Sequence, residues 1–396
     1  MLSKPKKTIS LILLFITLCL LLCGCWNYRQ LNEISIVMGM AIDKDSNDNY
    51  ILTFEIMDLS KPSTNSGTKS LFIESSGKTI FEAFRNSKAK VADKLYIGNM
   101  EILIISNKIA AEDGILSILD LFLRDGEPRE TLKIAISQEK TAKEILQTKG
   151  ISNGIASMDL KEIIETNQKT ISSSIDIEIY KVYSHIKSEG LSLVLPAIHC
   201  VKNTDTGIES QEKIAEVNGV AVFKDDKLVG YLSPEETFYY LFIVDKIKGG
   251  VLTLGLNGCP KPNISFEISR SNTKRTHINE RNKIKIKLKI TTYVYINELT
   301  TDSDISTPEG IKKIQAEAEK ALAKDIKNTV KSVQLRFNSD IFGFGNIIYK
   351  KDYKLWQKIN QNWDDMFGEI EIETETKIHV KNTSFSNDLR LRFNLR

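Results

Sequence analysis

The sequence predicts an α+β fold in which mixed α/β domains with antiparallel-rich sheets follow one another in tandem. The chain has 396 residues, which is more than one hydrophobic core usually holds, so its length predicts two or three domains. Strand and helix patterns alternate through the first half, and long strand patterns return from residue 264 onward. The polar stretch 202–213 lies between these regions and is the best candidate for a domain boundary.

The N-terminus has the layout of an export signal. A lysine-rich start precedes residues 9–22, which are almost wholly apolar, and the small residue Gly24 follows. The apolar run is shorter than the roughly 20 residues that a membrane span needs. Leu22-Cys23-Gly24-Cys25 resembles the lipobox of bacterial lipoproteins, in which a diacylglycerol is attached to the cysteine thiol and the chain is cut just before that cysteine. We therefore expect a lipoprotein signal peptide, cleaved after residues 1–24, and lipidation of Cys25. An uncleaved membrane anchor is the alternative, and both place the rest of the chain outside the cytoplasm.

The charge balance argues against nucleic acid as a partner. The full sequence has 54 lysines and arginines against 51 acidic residues, a formal net charge of +3. Because residues 1–24 hold three lysines and no acid, the mature chain has no formal net charge. A nucleic-acid-binding protein would show a strong excess of lysine and arginine. We therefore expect no nucleic-acid partner.

Cysteine usage does not indicate a disulfide framework. Only Cys200 and Cys259 follow Cys25, and one pair in so long a chain leaves both a single bridge and two buried free thiols open. No second apolar run of 18 or more residues is present. The lipid would therefore be the only covalent membrane attachment, and the two or three acyl chains of a lipoprotein hold more firmly than one.

The first half contains local patterns that define its elements. Residues 34–42 and 50–57 are typical of strands and are joined by a short polar turn, so they predict a hairpin. Gly77-Lys78-Thr79 opens a predicted helix. Residues 100–106 predict a strand, and residues 107–125 predict an amphipathic helix that is broken or offset at Gly114.

The second half has stronger signals. Two strands are predicted around an Asp225-Asp226 turn, and Ser233-Pro234-Glu235-Glu236 predicts a helix start with a capping box. A long helix is expected over 308–336. Residues 283–296 alternate lysines with apolar residues, and residues 369–380 alternate glutamates with apolar residues. We expect these two strands to be neighbours in one sheet, because opposite charges on their outer faces would then pair. A lysine face turned toward anionic lipid headgroups is the alternative.

Motifs for catalysis, cofactors and metals are not supported by their context. Gly150-Ile151-Ser152-Asn153-Gly154 matches the G-x-S-x-G nucleophile elbow, but a helix pattern precedes it where a strand is required. The four histidines are scattered and lack the spacing of a zinc site. We therefore expect no catalytic, cofactor-binding or metal-binding residues.

Gly343-Phe344-Gly345 is too short for a phosphate cradle and follows a long helix instead of a strand, so it predicts a structural turn. Phe342 and Phe344 allow two interpretations. The rings could complete the core between the helix and the following strands, which is the favoured account, or form an exposed patch that docks on a membrane subunit.

Several segments, in order, resemble one family along nearly all of the mature chain. The segments are Gly24-Cys25-Trp26-Asn27-Tyr28-Arg29-Gln30-Leu31-Asn32-Glu33, Gly39, Ala41-Ile42-Asp43-Lys44-Asp45, Gly77-Lys78-Thr79-Ile80-Phe81-Glu82-Ala83, Lys94-Leu95-Tyr96-Ile97-Gly98, Leu123-Arg124-Asp125, Gly219 to Gly230, Ser339-Asp340-Ile341-Phe342-Gly343-Phe344-Gly345 and Trp363. Together they resemble the Ger(x)C family, the C-subunit lipoproteins of spore germination receptors in endospore-forming bacteria.

The resemblance implies a non-enzymatic subunit of a nutrient-sensing receptor in the inner spore membrane, beside integral membrane A and B subunits. It also implies three mixed α/β domains in tandem. With the boundary patterns above, we expect an N-terminal domain over 25–202, a middle domain over 214–262 and a C-terminal domain over 263–388.

Two other functions fit an exported, lipid-anchored chain. An extracytoplasmic solute-binding lipoprotein is the main alternative, and it should show two similar βα lobes around a cleft. An exported hydrolase is the third, and the context of Ser152 counts against it.

Overall fold

The computed structural model describes residues 4–22, 33–59, 70–152, 154–202, 213–256, 261–280, 283–300 and 307–381. Within these ranges the strands form two sheets, one of nine strands and one of four, with helices packed on both. The predicted α+β class is confirmed.

The larger sheet is mixed. Its strands run in the order β3-β2-β1-β5-β6-β7-β8-β9, and β4 pairs with β1. β1 pairs in parallel with β5, β5 with β6 and β6 with β7, while the outer strands pair antiparallel. The predicted hairpin is confirmed as β1 and β2. The bounds are β1 Ile34–Lys44, β2 Tyr50–Met57, β3 Ser70–Gly77, β4 Lys94–Tyr96, β5 Ile102–Ser106, β6 Lys133–Ser137, β7 Val194–Lys202, β8 Lys213–Lys224 and β9 Lys227–Leu232.

Helices cover both faces of this sheet, which is why the central strands β5 and β6 are buried along their whole length. One face packs against helices α2, α3, α4 and α7, and the other against α5 and α6. The first helix of the chain, α1, comprises Lys4–Leu22. The others are α2 Ile80–Asn86, α3 Asn107–Glu112, α4 Leu116–Arg124, α5 Ala142–Leu146, α6 Ala156–Thr170, α7 Ile179–Ile186 and α8 Pro234–Ile243.

The predicted break at Gly114 is confirmed, because α3 and α4 are separate helices. Gly114 has a φ of +82°, a conformation that favours glycine. Asp226, in the turn between β8 and β9, binds the start of α4. Its backbone oxygen accepts a hydrogen bond from the Ile115 amide at 3.0 Å, and its carboxylate accepts one from the Leu116 amide at 3.2 Å. A turn more than a hundred residues away in the chain therefore caps α4.

The smaller sheet has the order β10-β11-β12-β13. β11 and β12 form an antiparallel pair, and β13 runs parallel to β12. The helix predicted over 308–336 is confirmed as α9, which crosses the inner face of this sheet. The bounds are β10 Val251–Leu254, β11 Ile264–Glu280, β12 Lys283–Leu299, α9 Pro308–Phe337, α10 Phe344–Lys351, α11 Tyr353–Ile359, α12 Trp363–Glu369 and β13 Glu371–Val380.

The two sheets share a continuous core. Phe223 of β8, Phe242 of α8 and Phe266 of β11 are fully buried members of one hydrophobic cluster that extends from the larger sheet to the smaller one. The polar stretch 202–213 connects β7 and β8, which are neighbours paired from Val194 opposite Val222 to Lys202 opposite Lys213. A polar connection can join paired strands as well as separate domains, and the division into domains over 25–202, 214–262 and 263–388 stays a prediction.

Candidate functional site

The glycine-rich turn after α9 is built around a buried carboxylate. Asp340 is 3% exposed, and it accepts hydrogen bonds from the amides of Phe344 at 3.1 Å and Gly345 at 2.8 Å and from the indole nitrogen of Trp363 at 3.2 Å. Burial raises the pKa of Asp340 to about 6, although these donors oppose the rise. One carboxylate thus holds the end of α9, the start of α10 and the start of α12 together.

Both aromatic residues of the turn are core residues. Phe342 and Phe344 are fully buried, and their rings stack with centroids 5.2 Å apart. Phe367 of α12 and Tyr240 of α8 complete the aromatic cluster. The core interpretation of these rings is confirmed and the exposed docking patch is wrong, because the turn lies beneath α8 and α12.

Both glycines of the turn are required by its geometry. Gly343 has a φ of +68°, which strains any residue with a Cβ atom. A Cβ atom on Gly345 would lie 2.8 Å from Gly190 Cα and 2.8 Å from the Trp363 ring. The amide of Asn346 also donates to the Gly190 carbonyl at 2.8 Å. The predicted structural turn is confirmed, and it fastens α10 to the loop that follows α7.

Ser152 lies on a bend between α5 and α6, in a cleft of about 340 Å³. The chain before Gly150 is helical, as predicted, so no strand holds this serine on a nucleophile elbow. Its backbone amide donates to Asp159 at 2.9 Å. The described residues that line the cleft include no histidine that could serve as a base for the hydroxyl.

The histidines lie in four different places. His185 lies on α7. His199 lies 3.4 Å from Glu216, and His277 lies 4.0 Å from Asp352. His379 stacks on the Tyr293 ring. Within the described ranges, no three His, Cys, Asp or Glu side chains are grouped so that they could hold a metal ion.

The lysine and glutamate strands are neighbours, as predicted. Lys285 of β12 pairs with Glu371 of β13 at 2.8 Å, and Glu375 lies 3.7 Å from Lys287 and 3.3 Å from Lys289. These lysines are therefore engaged by the adjacent strand instead of forming an isolated cationic face.

A second cleft, of about 280 Å³, lies between α2 and α4. Phe84 and Phe122 contribute to its apolar lining, and Lys94 and Glu127 form an ion pair of 2.5 Å at its rim. The cleft offers contacts for an apolar group with a charged end, and segments that carry the family resemblance border it.

Sequence reasoning missed two buried carboxylates that cap helices across the sheet. Glu55 on β2 is 1% exposed and accepts from the amides of Ala156 and Ser157, each at 2.9 Å, at the start of α6. Asp43 on β1 accepts from the amides of Ala142 at 2.7 Å and Lys143 at 3.0 Å at the start of α5. A carboxylate at a helix N-terminus is favourable, but partners about a hundred residues apart leave no local signal.

The expected lipidation site, Cys25, lies outside the described residues, and so does Cys259. Cys200 is a free thiol whose pKa is raised to about 11 by burial. No helix in the part of the chain that the structure describes is both long and apolar enough to cross a membrane.

Comparison with known proteins gives matches along almost the whole chain. The model "Spore germination protein N-terminal domain" matches residues 27–200, and "Spore germination B3/ GerAC like, C-terminal" matches residues 218–384. Spore germination protein KC of Bacillus subtilis is 23% identical over 97% of this chain and 97% of its own. Spore germination protein B3 of the same organism is 25% identical over 95% of this chain and 98% of its own.

A solved structure has the same fold. The chain in "Crystal Structure of the GerBC protein" matches with a TM-score of 0.59 at 21% identity, covering 90% of this chain and 100% of that one. Sequence and fold thus define a spore germination protein with paired N-terminal and C-terminal family regions. The chain belongs to the Ger(x)C family, as the resemblance implied.

Proposed function

We propose that this protein is the non-enzymatic lipoprotein C subunit of a nutrient germinant receptor and is needed for spore germination. It is anchored through lipid on Cys25 to the extracytoplasmic face of the inner spore membrane, after cleavage of residues 1–24. Integral membrane A and B subunits of the receptor are its partners.

The observation that carries this proposal is the lipobox-like Leu22-Cys23-Gly24-Cys25 in front of a body that matches spore germination proteins over nearly its full length. The relatives' names refer to spore germination, and no enzyme activity is part of them. The two sheets also differ in strand number and order, which counts against the two similar lobes of a solute-binding lipoprotein.

The lipid anchor is tested with Cys25→Ala in a spore-forming host that lacks the native copy. We expect an uncleaved precursor, no incorporation of labelled palmitate, loss of co-purification with the A and B subunits, and a slower response to nutrient. Cys200→Ala is the matched control and should keep its label and its partners. Labelled protein of mature length from the Cys25→Ala strain would refute the lipobox assignment.

The absence of catalysis is tested with Ser152→Ala. Because the described residues that line the Ser152 cleft include no histidine to act as its base, we expect an unchanged rate of nutrient-triggered germination at equal protein level. A lost response with normal protein abundance would instead support a hydrolase.

A further inference from the structure

The solvent side of α9 carries a row of lysines. This helix buries one side against the smaller sheet, and Ile314, Leu322 and Ile326 lie on that side. Because successive residues of a helix are about 100° apart, the row falls on the opposite side, within an arc of about 60°. We call the row the α9 ridge, and its exposed members are Lys313, Lys320, Lys324, Lys327 and Lys331.

The α9 ridge is long and ends beside an apolar side chain. Lys313 and Lys331 are 18 residues apart, which is about 27 Å at 1.5 Å per residue. Leu335 follows one turn after Lys331 and is 73% exposed. The ridge projects from the side of α9 that packs against nothing else in the described residues, so all of its ammonium groups can meet one flat surface.

The ridge lysines have no carboxylate partner. Among the described residues no acidic oxygen lies within 4.0 Å of them, whereas Arg336 of the same helix pairs with Glu236 at 2.7 Å. Lys320, Lys324 and Lys327 follow one another at intervals of four and three residues, so like charges are neighbours on the helix surface and repel. Helix stability therefore does not account for this row, and an anionic surface would relieve the repulsion.

The four acids of α9 do not neutralise the ridge. Glu319 accepts from a backbone amide of β13 at 2.9 Å, and Asp325 accepts from the Tyr239 hydroxyl at 3.1 Å. Glu317 is half-buried and already has a partner. Glu309 lies in the first turn, where a carboxylate stabilises the helix N-terminus. The positive charge of the ridge is therefore left for a partner outside the described residues.

The lysines of β12 provide a contrast within the same molecule. Lys285 pairs with Glu371, and Lys287 and Lys289 lie within ion-pair distance of Glu375. Their charge is compensated by the adjacent strand. Of these two lysine rows, the α9 ridge is the one that keeps its charge for an external partner.

We propose that the α9 ridge lies against the headgroups of anionic phospholipids and orients the anchored protein on the membrane. The headgroups supply the missing negative charge, and each lysine near such a surface strengthens attachment about fivefold. Leu335 adds an apolar contact at the end of the ridge. This inference rests on the proposed lipid anchor, which keeps the chain at a membrane but does not determine which side of the protein faces it.

The first test uses the full lipidated chain in vesicles of phosphatidylcholine alone, or of equal parts phosphatidylcholine and phosphatidylglycerol. Reductive methylation, which uses a small uncharged reagent, followed by peptide mass spectrometry measures the reactivity of each lysine. We expect the ridge lysines to react at least about fivefold more slowly in the anionic vesicles, and this protection to shrink as salt rises. Lys108 on α3 and Lys140 before α5, both exposed, are internal controls and should react equally in both vesicles.

The second test removes most of the ridge charge and keeps Lys313 as the reporter. The ridge variant combines Lys320→Gln, Lys324→Gln, Lys327→Gln and Lys331→Gln. In this variant Lys313 should react as fast in anionic vesicles as in neutral ones. The matched control removes the same charge from exposed positions elsewhere, with Lys108→Gln, Lys140→Gln, Lys350→Gln and Lys354→Gln. In the control Lys313 should stay protected, and a loss of protection in both variants would refute the ridge as the contact.

Flotation of the vesicles separates failure of the ridge from failure of the lipid anchor. A chain that floats with both kinds of vesicle, and whose ridge lysines react equally in both, would refute the ridge and leave the anchor intact. A chain that floats only with anionic vesicles, with its ridge protected, would refute the anchor and support the ridge. Protection in isolated spore membranes but not in anionic vesicles would indicate an acidic protein partner and overturn the lipid assignment.

Discussion

Asp340 shows how one residue can organise several elements. Asp340 is almost wholly buried, and its carboxylate accepts from two backbone amides and one indole that belong to α10 and α12. These donors offset part of the cost of burying the charge, and they do so only while the turn keeps its shape. The stability of the turn therefore depends on the same few atoms that set the pKa of Asp340.

Truncating Phe344 tests the aromatic core beneath this turn. Phe344→Ala should lower the free energy of unfolding by about 3 to 5 kcal/mol, because the fully buried ring leaves a cavity. Chemical denaturation of the full chain measures the change. Phe81→Ala, at a position that is 52% exposed, is the control and should change stability little. A Phe344→Ala protein as stable as the wild type would contradict the core assignment.

The raised pKa of Asp340 predicts a pH effect with a defined sign. The folded protein holds this proton more tightly than the unfolded chain, so the contribution of Asp340 to stability is complete below the ordinary pKa of 3.8 and is lost as the pH rises through about 6. The loss is on the order of 3 kcal/mol.

Asp340→Asn removes this titration. The stability difference between wild type and variant should be measured from pH 3.5 to 7, and it should change mainly between the unfolded pKa of 3.8 and the folded pKa of about 6. Asp365→Asn, at an exposed position two residues from Trp363, is the control and should not show this change. A stability difference that stays constant over the range would contradict the assignment.

At the scale of elements, α9 joins the two sheets. Arg336 near its end binds Glu236 of α8 at 2.7 and 2.9 Å and the Tyr231 carbonyl of β9 at 2.6 Å. Gln334 donates to the carbonyls of Phe367 at 2.7 Å and Ile370 at 3.0 Å, which fixes α12 beside the helix. Helix α9 thus connects β9, at the edge of the larger sheet, to α12, which precedes β13.

The parallel pairing of β12 and β13 is expected to depend on charge. Lys285→Glu should lower the Tm, because Glu371 then faces a like charge. The double reversal Lys285→Glu with Glu371→Lys should recover most of the loss, and the effect should shrink as salt rises, since exposed pairs are screened. Lys327→Glu is the control. A Tm that falls equally in the single and double variants would mean that this pair does not stabilise the strand pairing.

At the scale of the whole molecule, the larger sheet draws strands from both sides of residues 203–212. Val220, Val222 and Phe223 of β8 are fully buried, so the larger sheet needs them to complete its core. The nine-strand sheet, α8 and the smaller sheet share one hydrophobic cluster. The parts on either side of the connection are therefore expected to behave as one cooperative unit.

Cutting the connection tests this expectation. A protease site inserted between residues 203 and 212 should allow cleavage into two fragments that stay together on gel filtration and unfold in one transition, because β7 and β8 remain paired and their residues remain buried. The uncut protein with the same insertion is the control. Two fragments that separate and unfold independently would instead establish the predicted boundary as a true domain boundary.

The sequence by itself determined the local elements and the family. The hairpin of β1 and β2, the break at Gly114 and the helix from Pro308 follow from signals within a few residues of each other. The capping box is also local, since Ser233 and Glu236 bond to each other's backbone amides. Hydrophobic periodicity and helix caps involve residues that are close together in the sequence. They can therefore be recognised from a single sequence.

The tertiary structure alone decided which distant elements meet. Nothing local indicates that β8 completes the larger sheet or that Glu55 caps α6. The lysine and glutamate strands are the exception, because complementary charge patterns predicted their pairing across more than seventy residues, though not its parallel direction. Pairings at such separation are selected by total burial and by the cost of closing long loops, and both are properties of the folded chain as a whole.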